Sequence, residues 1–208
     1  MNEILFTSVI LIEEGFNVSN LRYCKSLFLL RVLGRFVYFT RFFPFLLCVL
    51  IKTILEICTS ANDLVGVLAP TYAMYKVYAN IFQLKLKEIE YTDELKTNFE
   101  KIYEFLEEKP KILFIPNPNQ PIEDTLTINQ IRKIAEVAEK KGCLVVVDEA
   151  YHYFGADSSL SLIDEFENII VARTFSKAFG VPSIRLGFLA ANLSNMKKLS
   201  KTRFAYES

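Results

Sequence analysis

The sequence has few of the residues that build metal centres and disulfide frameworks. Its only histidine is His152, and its four cysteines show neither CxxC spacing nor pairing with that histidine. A structural zinc site needs clustered Cys and His ligands, and small disulfide-bonded folds need denser cysteines. We therefore expect no metal, no disulfide and a reducing, cytoplasmic setting. The cysteines are Cys24, Cys48, Cys58 and Cys143.

A net charge is also lacking, because 24 Lys and Arg residues balance 24 Asp and Glu residues. Without an excess of positive charge, the chain has no overall field that attracts nucleic acid or an anionic membrane. No nucleic-acid partner is expected. With 208 residues, 51% of them hydrophobic, the chain can bury the core of one sizeable domain.

Long uncharged apolar runs are missing as well. The longest, residues 42–51, has ten residues and contains Pro44, whereas a membrane-spanning helix needs about 20. A signal peptide is not indicated, because the extreme N-terminus lacks basic residues and Glu13 and Glu14 follow the first apolar run. A membrane partner is not expected, although a peripheral or spanning membrane role for the apolar N-terminal residues stays open beside that of a buried or misassembled helical segment.

Two unlike parts make up the chain. Residues 1–58 are rich in Phe, Leu, Ile and Arg and contain only Gly15 and Gly34 as glycines. From about residue 62 onward, strand and helix signals alternate. We interpret residues 1–50 as an unassigned, apolar helical segment and residues 51–208 as the folded domain.

The second part predicts an α/β fold with a mostly parallel sheet flanked by helices. Continuous apolar strands alternate with amphipathic helices, which is typical of a sheet covered on both faces. Thr127 and Gln130 form a capping-box pattern that starts one helix, and Gly142 ends it. The predicted strands are residues 64–68, 83–89, 112–115, 144–147 and 169–172, and the predicted helices are 72–81, 93–108 and 127–141.

Reactive side chains follow several of these strands. Lys177 comes soon after the strand at 169–172, and Thr174, Ser176 and Arg185 lie near it in sequence. A lysine amine attacks a carbonyl only when it is partly neutral and held in place. Hydroxyl groups, backbone N–H groups and a guanidinium can together bind a phosphate. These features favour pyridoxal 5'-phosphate (PLP) as the cofactor.

The ends of two other strands supply complementary groups. PLP needs a carboxylate at its ring nitrogen and a hydrogen bond to its phenolic oxygen, roles that Asp148 and Tyr151 fit. Tyr72 can stack on the ring. The carboxyl ends of parallel strands meet at one edge of a sheet, so these side chains should share a crevice. The plain alternatives are an exposed lysine, a turn aspartate and tyrosines at the edge of the core.

Four segments carry a family resemblance: residues 69–75 (APTYAMY), 117–121 (NPNQP), 147–151 (VDEAY) and 173–180 (RTFSKAFG) with 185–187 (RLG). Together, in this order, they resemble the class I/II aminotransferases of PLP fold type I, most closely the histidinol-phosphate aminotransferase-like branch. The resemblance implies transfer of an amino group between an amino acid, or a histidinol phosphate-like amine, and a 2-oxo acid. It also implies a homodimer.

The resemblance assigns a role to each candidate residue. Lys177 would be the catalytic residue and form the internal aldimine, Asp148 would bind the ring nitrogen and Tyr151 the phenolic oxygen, and Gln120 stands where the family has an asparagine at that oxygen. The full set of implied cofactor-binding residues is Tyr72, Gln120, Asp148, Tyr151, Thr174, Ser176, Lys177 and Arg185.

The sequence departs from the family pattern at both ends. In the family, a glycine-rich turn binds the phosphate. At its place this chain has residues 45–51 (FLLCVLI), which include no glycine and no small hydroxyl residue. The chain also stops soon after residue 187. We therefore expect residues 51–208 to be a partial PLP-dependent aminotransferase large domain, and a truncated or frameshifted gene product is one hypothesis. The alternative function is a catalytically impaired remnant or an interaction protein of the same fold.

Overall fold

The computed structural model describes residues 27–32, 35–41, 46–180 and 186–199. It contains two short 3-10 helices, His152–Phe154 and Ser159–Asp164. The strands are β1 (Leu27–Val32), β2 (Arg35–Arg41), β3 (Leu64–Ala69), β4 (Lys85–Glu90), β5 (Ile112–Pro116), β6 (Leu144–Asp148), β7 (Ile169–Thr174) and β8 (Leu186–Ala191). The helices are α1 (Leu46–Cys58), α2 (Met74–Ile81), α3 (Phe99–Glu107), α4 (Ile128–Lys140) and α5 (Leu193–Leu199).

The described strands form one sheet in the order β1-β2-β8-β7-β6-β5-β3-β4. Neighbours from β7 through β6, β5 and β3 to β4 run parallel. The pairs β7–β8, β8–β2 and β2–β1 are antiparallel. The predicted α/β class, with a mostly parallel sheet flanked by helices, is confirmed.

The central strands are apolar throughout because both of their faces are buried. Successive side chains of a strand point to opposite faces, and on β5 Leu113 and Ile115 pack with α3 and α4, whereas Ile112 and Phe114 pack with α1, α2 and α5. The sheet therefore lies between two helical layers. Apolar burial on both sides supplies most of the free energy that orders these strands.

One close approach in this core requires a glycine. Gly66 lies in β3, and a Cβ atom built on it would overlap the ring of Phe105. Phe105 belongs to α3 and is fully buried. The missing side chain at Gly66 therefore lets α3 pack closely on β3.

Most of the predicted elements agree with the structure, but the helix predicted over residues 93–108 begins only at Phe99. Asn98 caps it by accepting a hydrogen bond from the backbone N–H three residues later. Thr97 donates from its backbone and from its hydroxyl to Asp124, at 2.8 and 2.7 Å. These polar contacts hold the residues just before Phe99 in a loop and so compete with helix formation.

The N-terminal segment differs from the expectation of an apolar helix. Residues 27–32 and 35–41 are strands that pair as a hairpin, and among the described residues the first helix begins at Leu46. Residues 1–26 lie outside the described part of the chain, so the helical expectation for them stays a prediction. Residues 36–40 are Phe, Val, Tyr, Phe and Thr, all of which favour strands, and β8 offers an edge for antiparallel pairing. The proposed boundary at residue 50 lies within α1 and stays a prediction.

Within the described ranges, none of the helices combines the length and the apolar character that crossing a membrane requires.

We expect Gly66→Ala to lower the free energy of unfolding by about 1–3 kcal/mol, because the new methyl group overlaps the Phe105 ring. At an open strand position the same change is slightly stabilising, since alanine loses less backbone entropy than glycine. Denaturant unfolding measures the change. Combining it with Phe105→Leu, which removes the ring, should give a smaller loss than the sum of the two single losses; additive losses would contradict the packing argument.

Candidate active site

A cavity of about 310 Å³ opens at the carboxyl ends of β3, β5, β6 and β7. Parallel pairing brings these four ends to one edge of the sheet. The first turn of α1 closes one side of the cavity with Leu47 and Cys48. The other lining residues are Thr71, Tyr72, Tyr75, Pro116, Pro118, Asn119, Gln120, Asp148, Ala150, Tyr151, Thr174, Ser176 and Lys177.

Asp148 is the buried carboxylate of this cavity. Its Oδ2 accepts a hydrogen bond from the hydroxyl of Tyr75 at 2.5 Å, and its Oδ1 accepts one from the backbone N–H of Ala150 at 3.0 Å. Burial raises the pKa of Asp148 to about 6, and the two donors and Lys177 only partly offset that effect. Asp148 is therefore largely ionised at neutral pH yet easily protonated in mild acid.

Lys177 and Tyr151 lie together on the exposed side of the cavity. The Nζ atom of Lys177 lies 5.1 Å from the centre of the Tyr151 ring, within the range of a cation–π contact. Lys177 is exposed and Tyr151 is half-buried. The lysine side chain is therefore accessible to a ligand at this cavity.

Two hydroxyl groups lie at the carboxyl end of β7, one on its last residue, Thr174, and one on Ser176. The backbone N–H of Ser176 donates to the Thr174 hydroxyl at 3.2 Å, which folds the chain back after the strand. The Ser176 hydroxyl oxygen is buried, and the described residues give it no hydrogen-bond partner. A buried hydroxyl without a partner is costly, so Ser176 is a group that a polar ligand would satisfy.

Tyr72 lies at the mouth of the cavity, with 43% of its surface exposed. Its hydroxyl lies 2.8 Å from the Sγ atom of Cys48 on α1. Its ring meets that of Tyr75 edge-on, with the centroids 6.4 Å apart. Burial and the Cys48 contact raise the pKa of Tyr72, so its hydroxyl stays protonated.

Two asparagines hold the loop after β5 in place through hydrogen bonds. Asn119 donates to the carbonyl of Pro70 at 2.9 Å and to the hydroxyl of Tyr91 at 2.8 Å, and it accepts from Thr71 at 2.6 Å. Asn117 holds the other end through its backbone N–H, which donates to the carbonyl of Asp148. Gln120, which follows Asn119 and is half-buried, lines the cavity.

The structure therefore brings seven of the eight predicted cofactor-binding residues around one cavity; the contacts of these residues with a cofactor stay predictions. The eighth, Arg185, lies outside the described residues. In the described part of the chain, no group of three or more His, Cys, Asp and Glu side chains is arranged to hold a metal ion.

Sequence reasoning missed Tyr75, Cys48 and Asn119. Tyr75 follows Tyr72 by three residues, a spacing that places both on the same face at the start of a helix, and this signal was available. Cys48 carried no such signal, because its contact with Tyr72 joins residues 24 positions apart. Asn119 lies in a loop, where spacing gives no direction for the side chain.

The family model of the class I and II aminotransferases matches residues 49–204. This match covers the strands and loops that build the cavity. The chain belongs to this family. The match includes α1 from residue 49 onward and the segment with Lys177, and it begins after both strands of the N-terminal hairpin.

Relatives and solved structures agree with this membership. A histidinol-phosphate aminotransferase of Clostridium novyi is 37% identical over 155 residues, which are 72% of this chain and 43% of the relative. A dihydroxyacetone phosphate transaminase of Campylobacter jejuni is 28% identical over 153 residues, 73% of this chain and 41% of the relative. The chain thus spans less than half the length of these relatives.

Among solved structures, the histidinol-phosphate aminotransferase of Sinorhizobium meliloti in complex with pyridoxal-5'-phosphate has a TM-score of 0.69 at 21% identity. The likeness covers 76% of this chain and 44% of that one. Cystalysin of Treponema denticola, which contains a pyridoxal 5'-phosphate cofactor, has a TM-score of 0.68 at 16% identity. That likeness covers 74% of this chain and 42% of cystalysin. At these identities the likeness shows a shared fold.

We expect Asp148→Asn to stabilise the fold above about pH 6, by up to about 3 kcal/mol. The pKa of Asp148 is raised in the folded state, so the folded protein binds a proton more tightly than the unfolded chain. Stability is therefore lost as the pH rises from about 4 to about 6, and asparagine removes that loss. Unfolding midpoints measured across this range for both proteins test it.

Asp124 provides the opposite case. Burial works against its charge, but hydrogen bonds from Thr97 and Lys96 outweigh burial and lower its pKa. Asp124→Asn should therefore cost stability at neutral pH, and the cost should fall as the pH drops below about 4. An Asp148→Asn variant that loses stability at pH 7 as Asp124→Asn does would contradict the role of burial at Asp148.

Proposed function

We propose that the chain binds pyridoxal 5'-phosphate in this cavity, with Lys177 as the residue that attaches to it covalently. The main observation in support is that Lys177, the buried carboxylate of Asp148 and the unsatisfied hydroxyl of Ser176 lie around one cavity. Structural relatives with this fold include proteins solved with that cofactor. Family membership supports the same interpretation.

The chemistry of the lining fits the cofactor. Asp148 can pair with a protonated ring nitrogen, because a buried carboxylate gains more from a cationic partner than an exposed one does. Thr174 and Ser176 offer hydroxyls to a phosphate, and Tyr151, beside Lys177, can offer its hydroxyl to a phenolic oxygen. The volume of about 310 Å³ lies at the lower end of the range for small-molecule sites.

When bound, the cofactor supplies a ring that accepts electrons released from a substrate amine. The protein's own residues bind and orient. Asp148 would hold a proton on the ring nitrogen, and the O–H of Tyr75 holds the Asp148 carboxylate in place. Tyr72 would cover one face of the ring, and Lys177 Nζ would be the group that accepts and returns a proton beside it.

We further propose the reaction of the whole protein: transfer of an amino group between an amino acid, or a histidinol phosphate-like amine, and a 2-oxo acid. The histidinol-phosphate aminotransferases among the relatives support this substrate class. A homodimer and a cytoplasmic location stay predictions on the same basis. Gln120 would contact the phenolic oxygen in place of the asparagine that the family carries there.

Lys177→Ala should abolish the visible absorption band that PLP develops when it attaches to a protein amine, because no other lysine lines the cavity in the described residues. Titration of the purified protein with PLP, followed by absorbance, measures the band. Lys133→Ala is the matched control, since Lys133 is an exposed lysine of α4 that does not line the cavity, and it should leave the band intact.

Absence of the band from the unmutated protein would sink the proposed cofactor and favour a non-catalytic role for the chain. A band that persists in Lys177→Ala would move the attachment to another lysine. Borohydride reduction of the unmutated protein with PLP, followed by peptide mapping, identifies the modified residue directly, and we expect it to be Lys177.

Asp148→Asn should weaken PLP binding by about 10–100-fold at pH 8, because a hydrogen bond to a charged group contributes about 1.5–3 kcal/mol. Below about pH 5 the Asp148 carboxyl is itself protonated, so the ratio of the two dissociation constants should approach one. Because both proteins contain the same lysine amine, the effect of pH on that amine cancels in the ratio of the two dissociation constants. A ratio that stays constant across this range would contradict the proposed role of the carboxylate.

A further inference from the structure

A buried ion pair lies directly behind the cavity. Glu149 and Arg173 are 0% and 5% exposed, and Nε of Arg173 lies 2.8 Å from Oε2 of Glu149. Each is a chain neighbour of a cavity residue, because Glu149 follows Asp148 and Arg173 precedes Thr174. The pair therefore joins the two segments that carry the carboxylate and the lysine.

The pair itself does not line the cavity. Asp148 and Thr174 do, whereas Glu149 and Arg173 do not. Neighbouring side chains at the end of a strand point to opposite faces of the sheet, which accounts for this separation. Any effect of the pair on a bound ligand must therefore act through the neighbours of its two members.

Further contacts fix the geometry of the pair. Glu149 also accepts hydrogen bonds from the backbone N–H of Ser159 at 2.5 Å and the hydroxyl of Ser158 at 3.2 Å. Nη2 of Arg173 donates to the same Ser158 hydroxyl at 2.6 Å. A closed ring of three side chains results, and it ties the 3-10 helix Ser159–Asp164 to both strands.

Two aromatic rings confine the guanidinium of Arg173. Its carbon lies 5.6 Å from the centre of the Tyr153 ring and 5.8 Å from that of Phe188. The backbone adds a further bond, since the N–H of Glu149 donates to the carbonyl of Ala172 at 2.8 Å. The guanidinium thus donates to Glu149 through Nε and to Ser158 through Nη2 and lies near two aromatic rings, an arrangement that lysine cannot reproduce.

Stability alone is a weak account of this pair. Removing two charges from water costs several kcal/mol per ion, and apolar residues of similar volume often stabilise a protein as well or better. What a multiply bonded pair provides in addition is a single geometry. Here that geometry is the position of the end of β6 relative to the end of β7.

We infer that Glu149 and Arg173 are positioning residues that set the placement of the Asp148–Tyr151 and Thr174–Lys177 segments relative to each other. This inference rests on the proposed function, in which the two segments bind one cofactor. Without the pair, the strands remain paired through their backbones, but the segments that follow them lose their common anchor.

Hydrogen exchange in the cofactor-free protein tests the inference directly. In Glu149→Gln, amides of residues 150–151 and 174–177 should exchange about tenfold faster or more, whereas amides of β5 keep their rates. The matched control is Glu165→Gln. Glu165 pairs with Arg132 at the same distance of 2.8 Å, but that pair is exposed and outside the cavity, so neither group of amides should change.

PLP affinity is the second readout. Glu149→Gln should raise the dissociation constant about tenfold, and Glu165→Gln should leave it unchanged. Arg173→Lys keeps the charge but not the planar fork, so its effect should lie between those of the unmutated protein and Glu149→Gln. If the unmutated protein does not bind PLP, the proposed function fails, while the exchange experiment still decides the positioning role.

A double variant, Glu149→Leu with Arg173→Met, separates positioning from packing. It replaces the two charged side chains with apolar ones of similar volume and should preserve the thermal midpoint of unfolding. The amides of residues 150–151 and 174–177 should nevertheless still exchange fast. Exchange and affinity equal to those of the unmutated protein would overturn the inference, as would unchanged exchange in Glu149→Gln. Should Glu149→Gln not fold, hydrogen exchange in the double variant decides the positioning role.

Discussion

The parallel pairing of β3, β5, β6 and β7 is the constraint on which the candidate site depends. Parallel strands end at the same edge, so Tyr72, Asp148 and Lys177, which are far apart in sequence, lie around one cavity. The pairing in turn requires helical cover on both faces, because these strands are apolar on both sides. The two buried clusters supply that cover.

Two buried carboxylates lie next to each other in the chain at this site, and their surroundings differ. Asp148 is buried with donors from Tyr75 and Ala150, yet its pKa remains raised, so burial outweighs the donors. Its neighbour Glu149 is buried as well, but it faces away from the cavity and is neutralised by Arg173. The two carboxylates therefore have separate roles: one is left short of positive partners beside the cavity, and the other is fully paired behind it.

The sequence predicted the parallel core and the residues at the strand ends because both depend on local patterns. Apolar runs, the capping box at Thr127 and the turn after Gly142 are read from neighbouring residues. The late start of α3 was missed because Asp124, which binds the residues before it, is distant in sequence. For the same reason the pattern gave no indication of the Tyr75–Asp148 bond, whose partners lie 73 residues apart. The β1–β2 hairpin depends on an edge that β8 provides.

On the α1 side, the cavity is lined by the start of a helix and not by polar side chains. Leu47 and Cys48 line the cavity there, and neither carries a charge or a strong donor. The first N–H groups of an α-helix nevertheless lack intrahelical partners and point out of its N-terminus, where the helix dipole favours an anion. Side chains at these positions limit how closely an anion can approach but do not remove the donors. Phosphate affinity at this end would thus rest on backbone N–H groups together with Thr174 and Ser176, and the side chains of α1 would tune it through their bulk.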